Sequence, residues 1–211
     1  MPQIIIGQKD MLSPDEKDFS EVARYLGYHR LSVPDEQVSA LIKSAGMELL
    51  QIIKPQALYD FFPLKVEYDE AGGVGQVSFA DVKIVSKDLA RNLRNCDGLY
   101  MLASTLGPAT DSLIRRCQHT DSVKAAVLQS AGAMYIEKFV DFVNQSLSED
   151  AAARGKKLRP RFSPGYGDLD LAVQKDFFRL LPCSKIGLSL MDTLIMSPEK
   201  SVTAFIGLLS N

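Results

Sequence analysis

The residues best suited to chemistry in this 211-residue chain lie in one run, Arg161-Phe162-Ser163-Pro164-Gly165-Tyr166-Gly167-Asp168. A guanidinium presents a planar fork of N–H donors that matches a carboxylate or phosphate. Pro164 stiffens the backbone, while Gly165 and Gly167 admit positive φ and let a small polar molecule come close to the peptide. Tyr166 can cover an apolar or heterocyclic group and keep its hydroxyl in water. These are the parts of a ligand turn, and equally those of an ordinary Pro-Gly surface turn. A second set, Ala126, Ser130, Ala133, Glu137, Asp141 and Asn144, shares one side of a helical pattern through spacings of three and four. Its small residues leave room for another segment, and two carboxylates stand one turn apart beyond them. Such a stripe is either the wall of a site or the solvated edge of an amphipathic helix.

The elements that must position these residues read as follows. Residues 1–13 are expected to be extended or loose. Pro14-Asp15-Glu16 opens a short helix carrying Phe19, Val22, Ala23 and Leu26. Ser32 is expected to cap a second helix, whose apolar positions Val38, Leu41, Ile42, Ala45, Leu49 and Ile52 keep helical spacing to about Lys54. Leu64, Val66 and Tyr68 alternate with polar residues as a half-buried strand, and Val77 and Phe79 begin its return. Val82 and Ile84 are out of phase with that pair, which calls for a bulge near Ala80 or a second short strand. Ser86 starts a short helix, Gly98 to Ser104 is a strand buried on both faces, and Pro108 opens a helix. Residues 121–148 form the longest helix. Ser148 to Pro160, polar and then basic, reads as a solvated loop able to meet an acidic partner. Leu171 to Leu181 is helical, and a terminal strand begins at Ser201. With 46% hydrophobic and 24% charged residues, the chain reads as one domain. Residues 1–55 form an N-terminal helical part, and 56–211 a sheet-and-helix core carrying the ligand turn. The class is α+β, with helices around a largely antiparallel sheet of four or five strands.

Other chemistries are poorly supplied. Cys96, Cys117 and Cys183 are odd in number and widely spaced, which suits reduced thiols in a cytosol. No Cys-x-x-Cys occurs, and His29 and His119 have no cysteine or histidine at ligand spacing, so no structural zinc is expected. Neither histidine lies in a nucleophile motif. Gly72, Gly73 and Gly75 superficially resemble a phosphate loop, but no Lys-Ser/Thr follows, so a hairpin turn is expected. A net charge of −2 argues against general nucleic-acid binding. No apolar run is long enough for a bilayer, and the first residues lack an export signal. A cytoplasmic protein without membrane or nucleic-acid partners is expected.

Arg161-x-Ser-Pro-Gly165-Tyr166 resembles the R-x-x-P-G-Y signature of the activation (reactivation) domain of cobalamin-dependent methionine synthase, the module that binds S-adenosylmethionine. Three further segments fit in order. Ser86-Lys-Asp-Leu-Ala, Asn95-Cys96 and Ala103-Ser-Thr-Leu-Gly107 resemble its helix–strand–TxG passage. Ala131-Gly-Ala-Met-Tyr-Ile-Glu137 with Asp141 resembles its long acidic helix. Ile186-Gly-Leu-Ser-Leu, Met196-x-Pro198 and Lys200-Ser-Val-Thr-Ala resemble its closing segment. The likeness covers about residues 80–211 and implies a twisted, mainly antiparallel sheet bracketed by helices.

By that resemblance the chain would be a component of a methyltransferase system for methionine biosynthesis. It would present S-adenosylmethionine to a cobalamin-binding methyltransferase subunit, while a flavodoxin-like donor supplies an electron. Arg161 would hold the methionine carboxylate, and backbone groups at Ser163 and Gly165 its polar parts. Tyr166 would lie by the adenosine or sulfonium, Glu137 would be the acidic ligand residue of the long helix, and Asp141 a further candidate. No side chain is expected to act in catalysis, because cobalt is the nucleophile and the protein positions the reactants. The chain would depart from the family in being short and free-standing, in showing no obvious N-terminal acidic ligand residue within its first 80, and in ending without a tyrosine-bearing tail. A rival expectation is therefore a docking module for a corrinoid protein that has lost S-adenosylmethionine binding. A small-molecule methyltransferase of another kind is disfavoured, since no G-x-G-x-x-G follows a strand.

Overall fold

The computed structural model describes residues 1–69 and 75–209. In order the elements are β1 (Gln3–Ile6), a 3-10 turn (Lys9–Leu12), α1 (Glu16–Tyr25), α2 (Glu36–Ile52), β2 (Gln56–Tyr68), β3 (Gly75–Phe79), β4 (Val82–Val85), α3 (Lys87–Asn92), β5 (Cys96–Thr105), α4 (Pro108–Thr120), α5 (Ser122–Ala153), α6 (Gln174–Leu180), β6 (Ser189–Leu190), β7 (Met196–Ser197) and β8 (Ser201–Leu209).

Helix starts follow side-chain chemistry. Asp15 accepts from the amides of Lys17 and Asp18, and the Asp18 carboxylate accepts from the Asp15 N–H, a complete capping box. The second helix is capped by Asp35, which accepts from Val38 N, and not by Ser32 as expected. The backbone of Ser32 is tied to His29 by reciprocal bonds, and a carboxylate satisfies helix N–H groups with the favourable dipole sign. Asp121 caps α5 through Lys124 N. That helix continues past Ser148 to Ala153, five residues beyond the expected end.

All strand pairs are antiparallel. The main sheet runs β4-β3-β2-β5-β8, and β1 pairs with the first residues of β2 on the edge away from β5. The out-of-phase Val82 and Ile84 form a separate strand, because β3 and β4 close a hairpin at Ala80-Asp81 with Phe79 opposite Val82. Gly72 and Gly73 lie outside the described residues, while Gly75 opens β3 opposite Tyr68. Among the described residues the expected four or five strands become six in this sheet plus the β6–β7 pair.

Period-two alternation sorts the strands between two cores. Tyr100 and Leu102 of β5, with Ile206 and Leu208 of β8, join α1, α2, α4 and α5 on one face. Leu99, Met101, Ala103 and Phe205 join α3, α6 and the segment around Ile186 on the other. Helices thus bracket the sheet, as the α+β class requires.

The long helix is anchored through its centre. Tyr135 is fully buried and its hydroxyl donates to the Gly46 carbonyl of α2 at 2.9 Å. Tyr135→Phe removes this bond while the carbonyl keeps its helical partner, and should cost about 0.5–1.5 kcal/mol, read as a lowered urea midpoint with an unchanged slope.

Candidate functional site

The run beginning at Arg161 reaches its place by strand pairing. After α5 the chain turns back and adds an edge to β8. Leu209 N bonds Lys157 O at 2.9 Å, Arg159 N bonds Gly207 O at 2.8 Å, and Phe162 and Phe205 exchange bonds of 2.9 and 2.8 Å. The basic stretch expected to be a solvated loop is therefore tied down. Arg154 Nη2 donates to Tyr100 Oη (3.1 Å), Lys156 pairs with Asp97 (2.8 Å), and Arg159 Nη2 donates to Arg94 O (2.9 Å). Each of these three cations meets a fixed acceptor that the linear composition does not reveal.

Alternation along this edge decides which way each residue faces. Phe162, opposite Phe205, packs with the second core. Its neighbour Arg161 faces the other way, toward α5. There Nη1 donates to Asp141 Oδ1 at 2.5 Å and Nη2 to Glu137 Oε2 at 3.1 Å. The structure thus joins the two constellations seen in the sequence. A guanidinium has five N–H donors, and these two bonds engage one on each terminal nitrogen. Arg161 is only 22% exposed, whereas the Asp141 side chain is 70% exposed, so the pair opens to solvent on the carboxylate side.

Beyond Arg161 the turn closes on itself. Gly165 has φ +90° and donates its N–H to Leu169 O at 2.8 Å; Tyr166 N bonds Ser163 O at 3.3 Å, and Leu169 N bonds Tyr166 O at 3.0 Å. The Gly165 amide and Ser163 carbonyl are therefore engaged inside the turn. None of the described residues bonds the Ser163 N–H or the Gly165 carbonyl. Tyr166 is 69% exposed, its ring projecting from the bend.

Asp168 anchors the far end. Its carboxylate accepts from Ser86 Oγ (2.5 Å), Lys87 N (2.7 Å) and Asp88 N (3.2 Å), clamping the turn to the start of α3. Gly167, at φ +55°, lies so close to Asp88 that a side chain would collide with it. Desolvation pushes the Asp168 carboxyl up, but the Ser86, Lys87 and Asp88 bonds outweigh it and hold it below its ordinary value of 3.8. A depressed carboxyl stabilises the fold fully above that ordinary value and loses its contribution as pH falls through the lower folded one. Asp168→Ala should cost about 1–2 kcal/mol at neutral pH. The difference from wild type should shrink below pH 3.8, read by denaturant unfolding across pH.

The sequence did not point to two other neighbours. Tyr25 of α1 lies beside Glu21 and in the field of Glu137. Partial burial raises its hydroxyl pKa, and the Glu21 and Glu137 carboxylates raise it further. On another face of α5, outside the small-residue stripe, the Lys200 stem lies over Gly132, where an added Cβ would stand 3.0 Å from Cε. Ser130 is buried in this stripe and Ala126 is exposed, so the stripe is partly covered and not merely a solvated edge.

No family model matches the sequence, and no curated protein matches it. The fold is similar to a crystal structure of the MetH reactivation domain bound to AdoHcy. The TM-score is 0.67 at 15% sequence identity, over 98% of this chain and 78% of that one. At that identity the likeness is one of fold. No helix among the described residues is long and apolar enough to cross a membrane.

Proposed function

We propose that this chain is an S-adenosylmethionine-binding reactivation subunit for a cobalamin-dependent methionine synthase or a related corrinoid methyltransferase. It acts as a single activation-type domain over residues 1–211, in the cytoplasm. The observation that carries the reading is Arg161, gripped by Glu137 and Asp141 in the same run as an exposed Tyr166. One fixed cation and two carboxylates leave the site net negative. The ligand carries a permanent sulfonium, an ammonium and one carboxylate, so it brings the opposite sign. Its carboxylate takes the unused donors of Arg161. Glu137 and Asp141 face its two cationic centres, the Ser163 N–H and Gly165 carbonyl meet its polar atoms, and Tyr166 covers the adenosine or sulfonium. The fold likeness to a domain whose structure contains AdoHcy supports the same ligand class.

The corrinoid would be held by the partner protein, where it would supply the methyl acceptor, and a flavodoxin-like donor would supply the electron. The residues of this chain bind and orient the methyl donor, and no side chain needs to move a proton. Calorimetry of the purified chain with S-adenosylmethionine should show saturable one-to-one binding. Adding the chain to oxidised cobalamin-binding domain, methyl donor and reductant should restore the methylcobalamin spectrum.

A second reading has one observation in its favour: both terminal nitrogens of Arg161 already have partners. On it the chain is a docking module for a corrinoid protein and holds no methyl donor. A stable complex with a purified cobalamin-binding domain, and no S-adenosylmethionine binding with or without it, selects this alternative.

A further inference from the structure

A cavity of about 400 Å3 opens between α1, α2 and the loop of residues 26–35 that joins them. It lies apart from the Arg161 run, none of whose residues line it. Its volume falls within the range of small-molecule pockets. Phe19, Ala23 and Ile42 supply an apolar interior, and Val33, 76% exposed, stands at its edge. The loop is braced as a rim, since His29 and Ser32 exchange backbone bonds of 3.1 and 2.8 Å.

The charge of that rim has the opposite sign to the Arg161 site. Arg24, Arg30 and Lys43 line the cavity, with Glu16 as the one carboxylate among the described residues. Arg24 is committed to Glu21 and Lys43 to Glu16. Arg30 makes no ion pair among the described residues and is exposed. Leu31 N–H donates to His29 Nδ1 at 3.3 Å, so a neutral His29 ring carries its proton on Nε2 and has a donor to offer there. An apolar interior with surplus positive charge and a free donor at its mouth rejects a net-cationic nucleoside and suits a molecule with an oily body and an anionic head.

We propose that this cavity is a second binding site, for a small amphipathic carboxylate, with its apolar part against Phe19, Ala23 and Ile42 and its carboxylate at Arg30 and His29. The site is independent of the S-adenosylmethionine reading. Calorimetric titration of the full chain with decanoate, below its micellar concentration, should give saturable one-to-one binding. Decanol, matched in length and uncharged, should bind about tenfold more weakly. Arg30→Glu at the exposed rim should weaken decanoate about three- to tenfold. Ser39→Phe, which fills the cavity from a lining position, should abolish binding. If Ser39→Phe fails to fold by circular dichroism, the surface variant Arg30→Glu still decides the question. Saturating S-adenosylmethionine should leave the decanoate isotherm unchanged. Absence of decanoate binding, equal affinity for decanol, indifference to Arg30→Glu, or competition by S-adenosylmethionine would overturn the proposal. A chain that binds decanoate but not S-adenosylmethionine upholds this site and removes the other reading, so the two failures are distinguishable.

Discussion

Arg161→Ala should lower the affinity for S-adenosylmethionine by roughly ten- to hundredfold, the equivalent of ~1.5–3 kcal/mol for a charge-assisted, two-pronged contact. The variant loses the donors for the ligand carboxylate and leaves Glu137 and Asp141 facing one another without their shared cation. The fold itself should hardly notice. Both carboxylates reach solvent, Asp141 at 70% exposure, and exposed ion pairs contribute about 1 kcal/mol or less. Arg161→Lys should fall between the two, because it restores charge without the planar fork. Calorimetry beside urea unfolding separates the loss of ligand from any loss of structure. Equal affinities for wild type and Arg161→Ala would remove Arg161 from the site.

The second large effect is expected deep beneath the turn. Phe205 is fully buried, with ring centroids of Phe177 and Phe79 at 4.6 and 5.6 Å. Its backbone also exchanges two bonds with Phe162, the residue beside Arg161. Phe205→Ala should destabilise the protein by about 3–5 kcal/mol, since a close-packed interior refills such a void only in part. Phe205→Leu keeps most of the volume and should cost about 1–2 kcal/mol. Affinity for the methyl donor should fall with Phe205→Ala even under conditions where the chain stays folded, because the pairing that aims Arg161 at α5 is loosened. An unfolding free energy within about 1 kcal/mol of wild type would mean that this core does not support the turn.

Much of this architecture could be read from local pattern. The unbroken apolar run from Gly98 to Ser104 implies a strand covered on both sides, and Leu99, Met101 and Ala103 do part from Tyr100 and Leu102. The phase slip between Phe79 and Val82 is the signature of a separate strand, and β4 is that strand. What stayed hidden depends on distant partners. Gln3 to Ile6 shows no alternation, and only its pairing with Gln56 to Tyr59 makes it a strand. The basic stretch before Arg161 has the composition of a solvated loop, and only its register against β8 reveals an edge. The same holds for the site. Arg161 and the Glu137–Asp141 pair are each conspicuous alone, but their meeting is set by which face of the edge strand turns toward α5. Asp168 belongs visibly to the run, while its partners Ser86, Lys87 and Asp88 lie far back in the chain. Glu21 and Tyr25 sit on an ordinary amphipathic helix, and nothing in their spacing sets them apart until α1 lies against α5.

The most direct test is amide chemical-shift mapping of the full chain by two-dimensional NMR during titration with S-adenosylmethionine. The largest shifts should fall on residues 161–167, with a second group at Glu137 and Asp141 and a smaller response at Glu21 and Tyr25. Saturation with no shift at Arg161 to Tyr166, or shifts gathered instead around Phe19, Arg30 and Ile42, would contradict the assignment of this site.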